Sequence, residues 1–597
     1  MGLKWLPSVG VSALALAMAP PLGAAPIQAQ TTQAKHGAAD ARFKALYTRE
    51  WAWRKQQLQV EEDDTGGPIE SDLPDVSAVA EAKRLAYWTH VLAELKTIRP
   101  SQLSSEPQLN YAVYRAQIVS LVAEQQFREY EKPLNSDTYF WGELAATARQ
   151  PFKTEADYRN FLRQLNEVPR YFADETANMR AGLARGFTPP KITLVGRDTT
   201  IAAVAEAKTP LDTVFYQPFQ AMPASIPAAV QAQLRDQAIK VIGDKVIPAH
   251  QALLTFMRDD YIPHARDSLA AEALPDGEAY YQSKIVEFAT VDLTPAQIHQ
   301  IGLDEVVSIH AQMLQVMQEV GFKGDLPAFL AFLRTDPQFY AKTPDELLKD
   351  TAYIAKEFDG KAGTWFGHLP RSRFTITAVP PEIAPFYTAG RGGAGLYLVN
   401  TYDLPSRPLY SLPALTLHES APGHAFQIPL AAENRTQPDF RRQVYISAYG
   451  EGWALYCEKL GLEMGMYRTP YERFGMLSYQ MWRAARLVVD TGIHHDGWTR
   501  EQAQAYLREN TALSNREIQT EVDRYISWPG QALSYYLGER AILQARARAE
   551  KALGPKFNIR AFHDTILDLG SAPIPVIDQR IDRFIAEGGK GPYPDEE

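Results

Sequence analysis

Apolar residues recur every three to four positions along most of this chain, and that period predicts a mainly helical protein. The segment 43–60, FKALYTREWAWRKQQLQV, has aromatic and aliphatic residues at helical spacing. From Val76 to about Ala184 the pattern stays amphipathic, most clearly in AEAKRLAYWTHVLAEL and NYAVYRAQIVSLVAEQQF. Pro227 to Ala265 reads as a further long helical stretch. DLTPAQIHQIGLDEVVSIHAQMLQVMQEVGF reads as a helix pair, with Thr294 as N-cap and Pro295 in the first turn. His299 and His310 fall within it and read as packed or surface helix residues. The period changes between Arg373 and Thr401. RFTITAVP alternates as a strand does, and GLYLVNTY is a second short strand. Helical patterning then resumes after Pro413, and WTREQAQAYLREN carries a capping box, Thr499 with Gln502. The fold class expected is therefore mainly α (α+β with a small minor sheet).

Two stretches depart from this pattern. Residues 61–75, EEDDTGGPIESDLPD, are acidic and rich in Gly and Pro, and read as a solvated surface loop. The first thirty residues have a single early cation, Lys4, then an uncharged, mostly apolar run from Val9 to Ala19 and a small-residue stretch ending near Ala29. The run is shorter than the roughly 20 residues a membrane-spanning helix needs. It reads as a cleaved Sec-type signal peptide over 1–29, followed by a flexible lead-in over Gln30–Ala39. The remainder, 30–597, reads as a single helical domain exported to a periplasm or beyond. No cysteine stands near the cleavage site to carry a lipid, so no membrane anchor is expected in the mature protein.

Composition narrows the function. Of 597 residues, 45% are hydrophobic and 22% charged, which excludes a mostly disordered chain. Lys plus Arg number 61 against 71 Asp plus Glu, a formal net charge of −10, so a nucleic-acid partner is not expected. The one cysteine, Cys457, excludes an intramolecular disulfide and any multi-cysteine metal site. A metal would have to be held by His, Asp and Glu.

The stretch LTLHESAPGHAFQ offers such a set in His418, Glu419 and His424. Zinc catalysis needs imidazole or carboxylate ligands, an open coordination position and a nearby general base. The histidines are six apart rather than the four of H-E-x-x-H, which turns the second about 240° from the first on a straight helix. Pro422-Gly423 can break the helix and bring His424 back. A third ligand is available in SAYGEGWALYCEKLG, where Glu451 and Glu458 are seven apart and share a helix face.

HESAPGH followed by EGWALYCE resembles the exported bacterial proteins grouped as domain of unknown function 885, which are similar to gluzincin metallopeptidases of the angiotensin-converting, thimet-oligopeptidase and thermostable-carboxypeptidase kinds. YLVNTYDLPSRP, RLVVDTGIHHDGWTREQA and WPGQALSYYLGE extend the resemblance over most of the chain. It implies a large helical zincin-like fold with a deep cleft and Zn2+ at its floor. Carried over residue by residue, His418, His424 and Glu451 are metal ligands and Glu419 is the base. It further implies an oxyanion donor from a late helix. Tyr535 is favoured over Tyr536, with His494 and His495 as a second donor candidate. The function implied is an exported zinc-dependent peptidase acting on a peptide substrate. A non-catalytic peptide-binding protein on the same scaffold and a zinc hydrolase of a non-peptide amide are the alternatives.

Three other features bear on function. Arg483, Arg486 and Asp490 lie at i, i+3 and i+7 and read first as an intrahelical charge ladder, with recognition of a peptide carboxylate as the alternative. Tyr397 and Asn400 read either as an ordinary strand or as an edge strand for an extended peptide. Gly390 to Gly395 matches G-x-G-x-x-G, but a strand-like segment follows it where a dinucleotide site needs a helix, so it reads as a mobile loop, a candidate flap at the cleft.

Overall fold

The computed structural model describes residues 27–58, 72–136, 138–381 and 383–594. The expected signal segment lies outside them except for its last three residues, and most of the acidic stretch 61–75 lies outside as well. Helices dominate and one small sheet interrupts them, as the pattern predicts. The first described helix, Ile27–Leu58, runs through Gln30–Ala39, so the flexible lead-in expected there is helical instead. Those residues are Ala, Gln, Lys, Thr and one His with a single Gly, a composition mostly of good helix formers.

Residues 295–319 form one continuous helix, not a pair, opened by a Thr294–Gln297 capping box. It packs against the helix Pro470–His494, and Gly302 lets the two approach closely: a Cβ there would overlap Val488 and Leu487. The stretch after Pro227 is helical to His264, but opens into wide turns over Ile242–Val246 and Met257–Tyr261. A proline closely follows each wide turn, Pro248 and Pro263, and a proline cannot donate to the preceding turn.

The sheet has three strands, β1 (Thr375–Ala378), β2 (Gly390–Gly393) and β3 (Leu396–Val399), in the order β1-β3-β2. β1 runs parallel to β3, and β2 pairs antiparallel with it, Gly392 opposite Tyr397. The glycine-rich segment is thus an edge strand rather than a loop. β3 is central, which removes the edge-strand reading of Tyr397. Asn400 just beyond it is buried, and its amide donates to the carbonyls of Ala384, Tyr387 and Thr388.

Large hydrophobic cores organise the described residues. One joins the N-terminal helices to the C-terminal ones. A second is built around the Pro470–His494 helix. A third spans Leu134 to Ala265 and contains no candidate site residue. Two helices feed both of the first two cores. Leu412–Glu419 sends Leu417 to the first and Leu415 to the second. Ser447–Glu463 sends Trp453 and Tyr456 to the first and Leu455 to the second. Both are buried on nearly every side, as a helix between two cores must be.

Candidate metal centre

His418 stands one residue before the end of its helix, Leu412–Glu419, and His424 is the first residue of the next, His424–Glu433. The break between them restores the rotation a straight helix would have lost. Gly423 makes it possible: its N–H donates to the Leu417 carbonyl at 3.0 Å, and a Cβ would overlap the His418 carbonyl. Trp453 fixes the break from the neighbouring helix by donating its indole N–H to the Pro422 carbonyl at 2.8 Å. The same helix, Ser447–Glu463, presents Glu451.

His418 Nε2 lies 3.4 Å and His424 Nε2 3.3 Å from one oxygen, Glu451 Oε2. The two imidazole rings stand 5.0 Å apart and nearly perpendicular, at 84°. The candidate ligand atoms of all three residues lie within 4.8 Å of one another. Separations of this size are longer than ordinary N–H···O hydrogen bonds. They match the edge of a tetrahedron around an ion bound at about 2.0–2.1 Å, an edge of roughly 3.3–3.4 Å. The donor set, two imidazoles and a carboxylate, can hold a metal ion.

Glu458, two helical turns beyond Glu451, is fully buried and takes the other side of the same imidazole, with His418 Nδ1 2.8 Å from its Oε1. A proton on Nδ1, shared with Glu458, leaves the Nε2 lone pair facing Glu451. Burial opposes charge on His418, yet the carboxylates of Glu451, Glu458 and Glu419 hold its pKa up to about 10. Burial likewise works to raise Glu451, but His424 and His418 hold it well below the usual carboxylate range. So much buried negative charge calls for a proton or a metal cation beside it.

Glu419 is positioned from the sheet. Its Oε2 accepts the Gly392 N–H at 2.7 Å, and β2 lies so close that a Cβ on Gly392 would overlap the Glu419 backbone. Tyr535 comes from the helix Ser534–Leu553, its ring 6.3 Å from that of His418. Gly452 and Gly538 let this helix touch the one bearing Glu451, since a Cβ on either would meet the other's backbone. The Tyr535 hydroxyl accepts from Arg524 Nη2 at 3.2 Å. His418, Glu419, His424, Glu451 and Tyr535 all line one cavity of about 1130 Å³.

The structure does not bring the remaining donor candidates to this cavity. His494 is fully buried in the last turn of its helix. Its Nδ1 accepts the Ala271 N–H at 3.1 Å and its Nε2 sits 2.9 Å from the Tyr525 carbonyl. Burial pushes its pKa down to about 3, so it is a neutral cross-link between segments. His495 pairs with Glu272 at the surface, and the Tyr536 hydroxyl donates to Glu305. The charge ladder also fails: Asp490 accepts from the Tyr281 hydroxyl at 2.6 Å and the Gly530 N–H at 3.2 Å, and Arg486 pairs instead with Glu521. Helical spacing gives a shared face but not the neighbours that face meets. Three contributors have no such role in the sequence reading: Gly392, named there only within a candidate flap, Arg524 and Tyr445. The role of Gly392 had its signal in the glycine run. Tyr445, which lines the cavity with its ring over Gly450, had none.

Fold and site together define a mainly helical protein with a buried His-His-Glu cluster able to hold a metal ion. The chain belongs to the bacterial proteins of unknown function DUF885, whose family profile matches residues 55–581. Its fold is similar to that of a "putative lipoprotein" from Colwellia psychrerythraea, at 27% identity and a TM-score of 0.83, covering 93% of this chain and 99% of that one. A "putative lipoprotein of unknown function" from Shewanella oneidensis matches at 19% identity and a TM-score of 0.65, covering 90% and 98%. An M32 carboxypeptidase from Deinococcus radiodurans aligns at 13% identity with a TM-score of only 0.31, over 86% of this chain and 97% of that one. No curated protein matches. Among the described residues no helix is long and apolar enough to cross a membrane.

Proposed function

We propose that this protein is an exported zinc-dependent peptidase. His418, His424 and Glu451 hold the metal, Glu419 is the base and Tyr535 assists the oxyanion. The observation that carries the reading is the placing of two imidazole nitrogens 3.3 and 3.4 Å from one carboxylate oxygen, with a further carboxylate, Glu419, in the same cavity. Zinc bound there would supply Lewis acidity and make water a stronger acid.

Glu419, held by the Gly392 N–H, takes the proton from the attacking water and returns it to the leaving amine. Tyr535 accepts a hydrogen bond from Arg524, which leaves its own proton free to donate to the oxyanion as it forms. Glu458 keeps His418 turned toward the metal. The cavity, at about 1130 Å³, has room for a short peptide. Export is supported by the signal-like N-terminus and by the description of two relatives as lipoproteins.

The test is Glu419→Gln, assayed on a peptide library alongside a panel of non-peptide amides, with zinc measured by elemental analysis. Turnover of peptides should fall by about 10²–10⁴-fold while zinc content stays near that of the unaltered protein. Full activity in Glu419→Gln would overturn the assignment of the base. Bound zinc with no product from the unaltered protein would overturn the peptidase reading.

A further inference from the structure

We propose that Tyr445 is the positioning residue of Glu451: its hydroxyl, seated against Gly450, holds that carboxylate with one oxygen toward both imidazoles. This rests on the metal site of the reading above and adds what orients its third ligand.

Gly450 lies inside the helix Ser447–Glu463, where glycine is the least favoured residue after proline. Its backbone does not call for a glycine, since its φ is not positive. Nor does a close backbone neighbour call for one. The three nearest atoms a Cβ would meet are Cε2, Cζ and the hydroxyl of Tyr445, and it would overlap all three. At Gly423, Gly452 and Gly538 the atoms met are backbone instead. Glycine at 450 thus makes room for one phenol, immediately before the residue that bears the carboxylate. The chain carrying that phenol is tied down just beyond it. The Ile446 N–H donates to Ser571 Oγ at 2.7 Å, and Ser447 Oγ lies 2.8 Å from Ser534 Oγ.

Tyr445 lines the metal cavity and is 49% exposed, whereas Tyr535 is 6% exposed. The groups that bear on its hydroxyl are Glu451, Tyr535 and Glu419, and its side-chain hydrogen bond is with Glu451. A phenol keeps its proton at neutral pH, so Tyr445 donates and the carboxylate accepts. The last torsion of a glutamate side chain is broad, so a carboxylate without such a donor turns readily between its two oxygens. Glu451 instead stands with Oε2 toward both His418 Nε2 and His424 Nε2, at 3.4 and 3.3 Å. Outer partners of this kind fix the orientation of a ligand, as Glu458 does for His418. Tyr445 belongs to none of the hydrophobic cores, so its hydroxyl can be removed without disturbing them.

The test reads the zinc affinity of the full-length protein, by competition with a chromophoric chelator, beside its melting curve. Tyr445→Phe, which loses only the oxygen, should bind zinc about 10–100-fold more weakly and melt as the unaltered protein does. Gly450→Ala keeps the hydroxyl but displaces it. It should lose zinc affinity to a similar extent while melting no lower, because alanine favours the helix. In a Tyr445→Ala background there is no phenol to displace, so Gly450→Ala should change zinc affinity by no more than about twofold. The visible absorption of the cobalt-loaded protein reads the ligands directly, and its bands should shift in Tyr445→Phe as the carboxylate turns. Unchanged zinc affinity in Tyr445→Phe, or an unchanged cobalt spectrum, would overturn the proposal and leave the peptidase reading intact. An equal loss from Gly450→Ala with and without the phenol would overturn the seat at Gly450. An unaltered protein that binds no zinc would overturn the metal site beneath the proposal as well.

Discussion

His418 has both ring nitrogens committed, and the assignment of the site rests on how. Nε2 faces Glu451 and His424, while Nδ1 is held by Glu458. Removing that hold without changing shape, in Glu458→Gln, should cost about 10–100-fold in zinc affinity, because the ring is no longer locked in the ligating tautomer. Competition with a chromophoric chelator measures it, and an unchanged affinity would mean that Glu458 only fills space. Much of this residue-level chemistry was legible beforehand. The donor types, the i to i+6 problem and the shared face of Glu451 and Glu458 can all be read from letters and helical geometry. The surroundings of His494 and of the arginines cannot. Spacing assigns a residue to a face, while the partner of that face is set by packing from Ala271, Tyr525, Glu521 and Glu458, distant in sequence.

The short break from Ser420 to Gly423 decides whether two histidines become one site. Gly423→Ala places a methyl where the His418 carbonyl already is, and the nearest atoms it meets are all backbone. Overpacking of this kind costs about 1–3 kcal/mol, and relief here can come only by moving the segment that aims both imidazoles. The expected outcome is a lower thermal midpoint together with lost zinc, read by calorimetry and elemental analysis. A variant that melts lower but keeps its zinc would show that the break is not what aligns the ligands. The sequence announced the break through Pro422-Gly423. It did not announce that β2 lies over it. A run of Gly with one Arg has no side-chain alternation to mark a strand, and only its pairing with β3 and its closeness to Glu419 give it a role.

For the whole molecule, the mainly helical class and the small sheet were legible because periodicity and turn residues are local signals. The division into cores, and the setting of the site where two of them meet, depend on long-range contacts that periodicity does not encode. Those contacts bury Asp490, whose carboxyl ties the Tyr281 helix to the Pro529-Gly530 turn. Burial raises its pKa to about 7 against hydrogen bonds that lower it. A carboxyl raised on folding stabilises fully below its unfolded pKa of about 3.9, and that contribution is lost as pH rises through about 7. Asp490→Asn, which cannot ionise, should therefore show a stability that falls less steeply than the unaltered protein's between about pH 4 and pH 7. Denaturant melts across that range measure it, and identical slopes would show that Asp490 titrates normally.

The most direct test of the central claim is an anomalous difference map from crystals of the full-length protein grown with zinc, recorded on both sides of the zinc absorption edge. One strong peak bonded at once to His418 Nε2, His424 Nε2 and the Glu451 carboxylate, with Glu419 beside it but not bound to it, is the predicted result. A map without density among those three side chains, or with zinc bound somewhere else, would contradict it.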